Sequence, residues 1–322
     1  MTKKWLENRD KERPFFVMCH HKAPHDFWEY HKRHEDLFQG VDIPVPDSLF
    51  EDRKHRSLAT RDFGSSVTPR SRIRSLYCDF CRDDYVTGKL EGTEGMNFEE
   101  RNSSIPKYLK DYLRTVAAID ESVGQLINTL EEDGSLENTI VIYTSDQGIF
   151  LGEHDYQDKR WSFEESLRTP FLIRYPKEIQ AGSVCKALMA NIDVAPTLLD
   201  YAGIEIPEEM QGVSGRKVIA GEEKEIRDAV YFRYWMHLAH NHDNPAHYGI
   251  RTKRYKLTFY YGLPLDATGA VQKETPPGWE LYDLERDPQE LHNVYEDIEY
   301  QEVCKRLKVK LENMKKLYEE NK

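Results

Sequence analysis

TIVIYTSDQGIFLGEHDYQDK, residues 139–159, joins a short β-rich run to a group of polar side chains. The run Thr139–Thr144 is apolar and rich in β-branched residues, which predicts a buried strand. Asp146 and Gln147 follow it closely, and Lys159 comes soon after. Open α/β sheets bind ligands at the carboxyl ends of their strands. Because carboxylate and amide oxygens suit a hard cation, the stretch predicts a polar site with metal ligands at that edge.

The elements around this stretch predict an α/β domain. Ile105–Asp133 carries apolar side chains at spacings of three and four, which is typical of an amphipathic helix. Thr169–Pro176 predicts a further buried strand, and Phe15–Cys19 predicts another near the start of the chain. A helix followed by a strand and a polar loop is the rhythm of parallel sheets, so we expect a sheet flanked by helices.

The sequence pattern changes at about residue 226. Four short runs divided by turns predict a small antiparallel sheet: Val230–Trp235, Tyr248–Arg251, Tyr255–Tyr261 and Glu280–Leu284. Tyr300–Asn321 predicts a closing amphipathic helix, whose apolar side carries Val303, Leu307, Val309, Leu311 and Leu317. We therefore expect an α/β core over residues 1–225 and a C-terminal antiparallel α+β subdomain over residues 226–322.

Composition and charge narrow the functional classes. The 322 residues include 45 Lys and Arg against 57 Asp and Glu, a net charge of −12, which argues against a nucleic-acid partner. Five scattered cysteines do not form a disulfide framework, and Cys78–Cys81 lacks the second pair of a zinc site. The chain has no run of about 18 apolar residues, so we expect no membrane span. In so acidic a chain, the His and Lys cluster at His20–His25 is a candidate anion site.

A series of short motifs runs along nearly the whole chain. In order they are HKAPH at 21–25, TSDQG at 144–148, GEH at 152–154 with DK at 158–159, ESLRTP at 165–170, DVAPT at 193–197, GVS at 212–214, GIRT at 249–252 and LYDL at 281–284. Together and in this order they resemble the sulfatase family. The resemblance implies an alkaline-phosphatase-like α/β fold, with a mixed sheet flanked by helices that is partial here. It also implies metal-dependent hydrolysis of a sulfate ester, with a sulfated small molecule or glycan as substrate.

The resemblance assigns roles to individual residues. Asp146 and Gln147 stand where the family holds a divalent metal, usually calcium, and oxygen ligands of this kind suit calcium better than zinc. Lys159 resembles the lysine that grips the sulfate and the ester oxygen. His25 resembles the histidine that contacts the sulfate and protonates the leaving alkoxide.

Three further residues receive secondary roles. Lys22 supplies a nearby positive charge for substrate binding. His154 is expected to support the site through hydrogen bonds rather than to touch the substrate. His247 is expected to contact the organic part of the substrate, with a solvated loop histidine as the open alternative.

The chain also departs from the family pattern. Family members carry a paired-aspartate metal motif after their first strand and a CxPxR or SxPxR motif whose Cys or Ser becomes formylglycine, the nucleophile. No cysteine here is followed by xPxR, and the Asp83-Asp84 pair follows no strand. We therefore expect a C-terminal portion of a sulfatase, truncated and inactive alone, with an incomplete metal site.

Two other functions stay open. One is a phosphoesterase or phosphonate hydrolase of the same superfamily, which uses the same metal architecture on phosphorus. The other is a non-catalytic module that binds anionic glycans, a reading that the missing nucleophile favours. The resemblance points to parents that are often periplasmic, secreted or lysosomal, and the sequence makes no prediction of compartment.

Overall fold

The computed structural model describes residues 1–90, 104–265 and 267–318. They belong to two compact units. The first unit comprises Met1–Pro46, Ser66–Tyr143 and Leu172–Lys177, and the second comprises Asp47–Ser65, Thr144–Phe171 and Glu178–Lys322. Each unit combines separate segments of the chain, whereas the predicted division is a single boundary between residues 225 and 226. That division stays a prediction.

Helix α3 dominates the first unit. It spans Ser104–Glu132 and confirms the predicted amphipathic helix. The left-handed Gly134, with φ of 75°, follows its end, where a residue without a side chain is favoured. Two shorter helices lie in the same unit, α1 at Thr2–Asn8 and α2 at Leu76–Phe80. Leu6 of α1 packs with Leu130 of α3 in a small buried cluster.

The predicted strand Phe15–Cys19 is wrong. The segment is not part of a sheet, and Phe16 and Met18 are 69% and 62% exposed. A strand requires a neighbour that takes up its backbone hydrogen bonds. Among the described residues, no strand pairs with this segment, so its apolar run forms no hydrogen-bonded ladder.

The structure confirms the positions of two predicted strands of the α/β part, but these strands are not buried as predicted. β1, Val141–Thr144, and β4, Phe171–Arg174, pair as a two-stranded sheet. No residue of either strand is fully buried, and Leu172 is 62% exposed. Among the described residues this sheet has only two strands, so it offers little interior in which to bury them.

Short elements connect β1 to β4 in the second unit. β2, Phe150–Leu151, pairs antiparallel with β3, Gln157–Asp158. Helix α4, Glu164–Leu167, follows them. Its neighbours Trp161 and Phe163 are buried with Phe150 in an aromatic core.

Helix α5 spans Val194–Tyr201, which holds most of the DVAPT motif, and is preceded by a 3₁₀ turn at Asn191–Asp193. The buried Asp193 accepts a hydrogen bond from the backbone N–H of Ala190 and forms an ion pair with Arg227. Helix α6 follows at Arg216–Ala220.

The predicted C-terminal sheet is confirmed. β5 (Ala229–Tyr234), β6 (His247–Thr252), β7 (Tyr255–Tyr260) and β8 (Gly278–Asp283) form an antiparallel meander in chain order. Helix α7, Gln301–Tyr318, confirms the closing helix within the described residues, and the predicted end at Asn321 lies outside them. Leu307 and Leu311 of α7 pack on the sheet, whereas Val309 and Leu317, also predicted for the apolar side, are 64% and 60% exposed. The predicted class, α/β with a small antiparallel C-terminal part, is therefore confirmed.

Candidate functional site

The loop after β1 carries the predicted metal ligands. Asp146 is exposed, and Gln147 Nε2 donates a hydrogen bond to Asp146 Oδ2 at 3.3 Å. Ser145 Oγ donates to the backbone oxygen of Gln147 at 2.8 Å, which shapes the turn. The two side chains are thus neighbours, and their carboxylate and amide oxygens are of the donor type that suits calcium. Within the described residues, no group of three or more His, Cys, Asp and Glu could hold a metal, so the fit is that of a partial ligand set.

Ser166 joins this loop to the segment that carries Lys159. The backbone oxygen of Ser166 accepts from Gly148 N at 3.0 Å, and its hydroxyl accepts from Arg160 N at 3.0 Å. The β2–β3 register also sets Phe150 opposite Asp158, the residue before Lys159. The structure therefore brings the Asp146 loop and the Lys159 loop together within one unit, as the sequence predicts.

Gly148 is required where the loop passes helix α4. A Cβ atom at this position would lie 2.0 Å from the backbone oxygen of Glu165 and 2.6 Å from that of Arg168. Backbone atoms cannot turn aside as a flexible side chain would, so the loop reaches its place only with glycine.

Replacement of Gly148 by alanine should therefore lower the free energy of unfolding by about 1–3 kcal/mol or more. It should also displace the Asp146 loop. Gly124→Ala is the matched control, because a Cβ there meets no atom within 4 Å and alanine favours a helix. Urea titration of both variants tests the close approach, and equal stabilities would contradict it.

Lys159 lies in a cationic group held by strained backbone. Its side chain is 12% exposed, and its Nζ is 3.1 Å from Asp158 Oδ1. Arg160 and His242 also pair with Asp158, the latter with Nδ1 at 3.3 Å from Oδ2. Asp158 and Arg160 have left-handed φ angles of 67° and 80°. Such a backbone conformation raises the free energy of the folded state, so surrounding contacts must offset it. Three nitrogen-bearing side chains around one carboxylate make this loop a suitable place for an anion.

His154, five residues before Lys159, is fully buried. Its Nδ1 is 2.7 Å from Glu51 Oε2, and its ring stacks on Phe163 with centroids 4.3 Å apart. Burial lowers the pKa of His154 to about 4, with a further contribution from the charge of Arg56. The same Nδ1 is 3.0 Å from Arg56 Nη2, so this nitrogen lies between a carboxylate and a guanidinium. Its other nitrogen, Nε2, is 3.8 Å from Glu165 Oε2. Burial raises the pKa of Glu165 to about 7, so both groups of this second pair are neutral at moderately acidic pH. This packing favours a supporting role over direct contact with a ligand.

The other predicted residues lie in different surroundings. His247 is buried at 2% exposure, with its ring 4.9 Å from that of Tyr260 and Nδ1 2.9 Å from the backbone oxygen of Pro245. Burial lowers its pKa to about 4. The solvated-loop alternative is wrong, because His247 is the first residue of β6. Its burial also disfavours direct contact with the substrate.

Lys22 and His25 lie in the first unit, and both are exposed. Both contact Asp26: Lys22 Nζ donates to its backbone oxygen at 3.0 Å, and His25 pairs with its carboxylate.

Several residues of the site were not predicted from the sequence. Arg160 could have been found from the sequence, because it directly follows Lys159 and two adjacent cations in an acidic chain favour an anion site. His242 approaches from the loop after β5, 84 positions along the chain, and Ser166 acts partly through its backbone. Glu51 and Arg56, which hold His154, come from a weakly periodic region. Sequence spacing carries no information on such long-range pairs.

Comparison with known proteins gives a consistent result. A model described as "Sulfatase" matches residues 1–204, and one described as "N-sulphoglucosamine sulphohydrolase, C-terminal" matches residues 152–317. An N-acetylglucosamine-6-O-sulfatase of Bacteroides thetaiotaomicron is 37% identical, over 98% of this chain and 60% of that protein. An arylsulfatase of Clostridium perfringens is 26% identical, over 92% of this chain and 53% of that protein. The chain thus spans between about half and three fifths of these relatives.

Solved structures agree with this result. A structure described as a complex with its substrate D-glucosamine-2-N,6-O-disulfate is 36% identical, with a TM-score of 0.83, and the match covers 99% of this chain and 69% of that one. The phosphonate monoester hydrolase of Agrobacterium radiobacter shares the fold, with 22% identity, a TM-score of 0.68, and coverage of 98% and 58%. The resemblance noted in the motifs and the alkaline-phosphatase-like fold are confirmed, and the chain belongs to the sulfatase family.

Proposed function

We propose that this chain carries the sulfate-binding part and a share of the metal-binding part of a sulfatase active site. The observation that supports it most is the bridge through Ser166, which holds the Asp146 loop beside the Lys159 loop. A sulfate monoester carries its charge on non-bridging oxygens, which cationic donors stabilise. A hard cation beside a lysine meets that requirement.

The proposed roles follow from the chemistry of each side chain. Asp146 and Gln147 would contribute oxygens to a divalent cation, for which calcium is our proposal, and a bound cation would polarise a sulfate oxygen. Lys159 binds the sulfate and neutralises charge on the ester oxygen as the bond breaks. For Lys22 as an added positive charge and His25 as the acid that protonates the leaving alkoxide, the support is the HKAPH motif at 21–25 alone. His154 supports the segment through its buried contacts with Glu51 and Phe163.

The nucleophile is not among the assigned residues. The sequence has no CxPxR or SxPxR motif that could yield formylglycine. We therefore expect this chain alone to bind a sulfated ligand without hydrolysing it.

The proposed substrate is a carbohydrate with a 6-O-sulfated glucosamine. Two similarities support this choice: the 37% identity to a protein named N-acetylglucosamine-6-O-sulfatase, and the 36% identity to a structure described with glucosamine-2-N,6-O-disulfate. The cationic side chains grouped with Lys159 suit a sugar that bears anions.

The competing function is a phosphoesterase or phosphonate hydrolase, favoured by the shared fold of the Agrobacterium enzyme. The test compares release of sulfate from an aryl sulfate with release of phosphate from the matched aryl phosphate, by the native gene product that contains this chain. We expect faster sulfate release. Faster phosphate release would reject the sulfatase proposal. Release of neither product, together with tight binding of sulfated sugars, would favour the glycan-binding module.

A further inference from the structure

Lys256 of β7 is a fully buried cation, and the site described above does not use it. Its Nζ is 2.6 Å from Glu290 Oε1 and 3.2 Å from Glu164 Oε1. The sheet register sets Arg251 opposite Lys256, and Arg251 Nη2 is 3.0 Å from Glu164 Oε2. Because a buried charge is costly unless it is paired, these four side chains act together, and we call them the Lys256 cluster.

The cluster lies where the segment after Lys159 packs on the C-terminal sheet. Three consecutive residues of that segment each contact the sheet, in the pairs Ser162–Tyr260, Phe163–Tyr282 and Glu164–Lys256. The hydroxyls of the first pair are 2.9 Å apart, and the ring centroids of the second pair are 5.8 Å apart. The register sets Lys256 opposite Tyr282, and Tyr260 lies four positions further along the same strand, so all three share one face. Leu257, between Lys256 and Tyr260, points to the opposite face and packs with α7.

Glu164 is the firm counter-charge of Lys256. Burial tends to raise the pKa of Glu164, but the charges of Lys256 and Arg251 outweigh it and lower the pKa to about 2. Burial raises the pKa of Glu290 to about 7. Glu164 is therefore ionised throughout the neutral range, and its attraction to two buried cations fixes its position.

The same cluster holds the first turn of α4 through its backbone. Glu164 N donates to Glu290 Oε2 at 2.7 Å. Two residues further along this turn, the backbone oxygen of Ser166 accepts from Gly148 N and its hydroxyl accepts from Arg160 N, each at 3.0 Å. The turn is thus anchored to the cluster at its first residue and supports both loops of the proposed site from its third.

We infer that Lys256, with Glu290, is a positioning group of the proposed sulfate site, which acts through α4 and Ser166 on the Asp146 and Lys159 loops. Replacement of buried ion pairs by apolar side chains is often neutral or stabilising, which favours a role in geometry over a role in stability. The inference rests on the proposed function and deepens it, because it gives the C-terminal sheet a task in forming the site.

The test combines hydrogen exchange of single backbone amides with isothermal titration, both on the full chain. Lys256→Met removes the charge and keeps an unbranched side chain. The amide hydrogens of Gly148 and Arg160 should exchange about 10-fold faster or more, because their acceptors on Ser166 lose their anchor. The affinities for calcium and for glucosamine-2-N,6-O-disulfate should each fall about 10-fold, the scale on which groups behind the ligands of a metal site contribute.

Leu311→Ala is the matched control for stability. Leu311 is fully buried in the same unit, where α7 packs on the other face of the sheet. Its truncation lowers the stability of the sheet without removing a contact of α4. Both affinities should be unchanged in this variant, and exchange at Gly148 should not accelerate more than exchange in β6.

A second variant, Lys256→Met with Glu290→Gln, covers the case in which the single variant does not fold. It leaves no unpaired charge at Glu290 and keeps an oxygen that can accept from Glu164 N. Circular dichroism should show a retained fold, and both affinities should still fall.

Two outcomes would overturn the inference: the same changes in exchange and affinity in Lys256→Met and Leu311→Ala, or unchanged affinities in the folded double variant. A failure of the proposed function is distinguishable, because the wild-type chain would then bind neither calcium nor the sugar. Selectively faster exchange at Gly148 in Lys256→Met would in that case still support the action of the cluster on α4, and unchanged exchange would overturn it.

Discussion

Lys159→Ala should weaken binding of glucosamine-2-N,6-O-disulfate by the chain about 30-fold or more, which is the effect of losing a partly desolvated charge pair of about 2 kcal/mol. The side chain of Lys159 is 12% exposed, and its Nζ pairs with Asp158. Its charge is therefore less screened than that of a surface lysine. Isothermal titration with calcium present measures the loss.

Lys54→Ala provides the control for this experiment. Lys54 lies in the same unit and also pairs with a neighbouring aspartate, with Nζ 3.3 Å from Asp52 Oδ2, but its side chain is 86% exposed. We expect unchanged affinity in this variant. Equal affinities of the Lys159→Ala variant and the wild-type chain would remove Lys159 from the site.

Arg56→Met should lower the free energy of unfolding by about 3–5 kcal/mol at neutral pH. The Arg56 side chain is fully buried and forms an ion pair with Glu51, whose side chain is 4% exposed. Its Nη1 donates to the hydroxyl of Tyr156 at 2.7 Å, and its guanidinium lies 4.7 Å from the centre of the Phe163 ring. Burial tends to raise the pKa of Glu51, but the hydrogen bond from His154 and the charge of Arg56 outweigh it and hold the pKa below its usual value. Without Arg56 a buried carboxylate loses its main counter-charge.

The loss should depend on pH with a definite sign. The pKa of His154 is lowered to about 4 in the folded protein by burial and by Arg56, so protonation destabilises the fold as pH falls from about 6.5 to 4. Removing Arg56 should raise the pKa of His154, because Glu51 then attracts the proton. The destabilisation by Arg56→Met should therefore be largest above pH 6.5 and decrease toward pH 4.

Urea unfolding at pH 7.5 and 5, with NMR titration of His154, measures both effects. Arg82→Met is the control, since its ion pair with Asp84 is exposed and such pairs contribute little. A pH-independent loss, or an unchanged pKa of His154, would contradict this description of the buried network.

Local patterns predicted most of the secondary structure. The periodicity of α3 and the alternation of four turn-separated strands are properties of contiguous residues, and both are confirmed. The strand predicted at Phe15–Cys19 was wrong because an apolar run becomes a strand only when another strand accepts its hydrogen bonds. The predicted burial of Val309 and Leu317 was wrong because a helix buries only the stripe of side chains that its neighbour covers.

The site was predictable only in part. Asp146, Gln147 and Lys159 lie in one stretch with recognisable motifs, and the structure brings their loops together through Ser166. The support of His154 by Glu51 and Arg56, and the approach of His242 to Asp158, join residues roughly 100 and 84 positions apart. Such contacts depend on packing. His247 illustrates the converse, because a residue adjacent to a family motif is buried by the sheet that contains it.

The most direct test of the central claim measures release of inorganic sulfate from glucosamine-2-N,6-O-disulfate by the native gene product that contains this chain, with and without Lys159→Ala. The proposed site predicts release of the 6-O-sulfate and a decrease in kcat/KM of about 100-fold or more in the variant, on the scale of losing one stabilising donor in the transition state. No release by the native product, or equal kcat/KM in the variant, would contradict a sulfatase site built on Lys159.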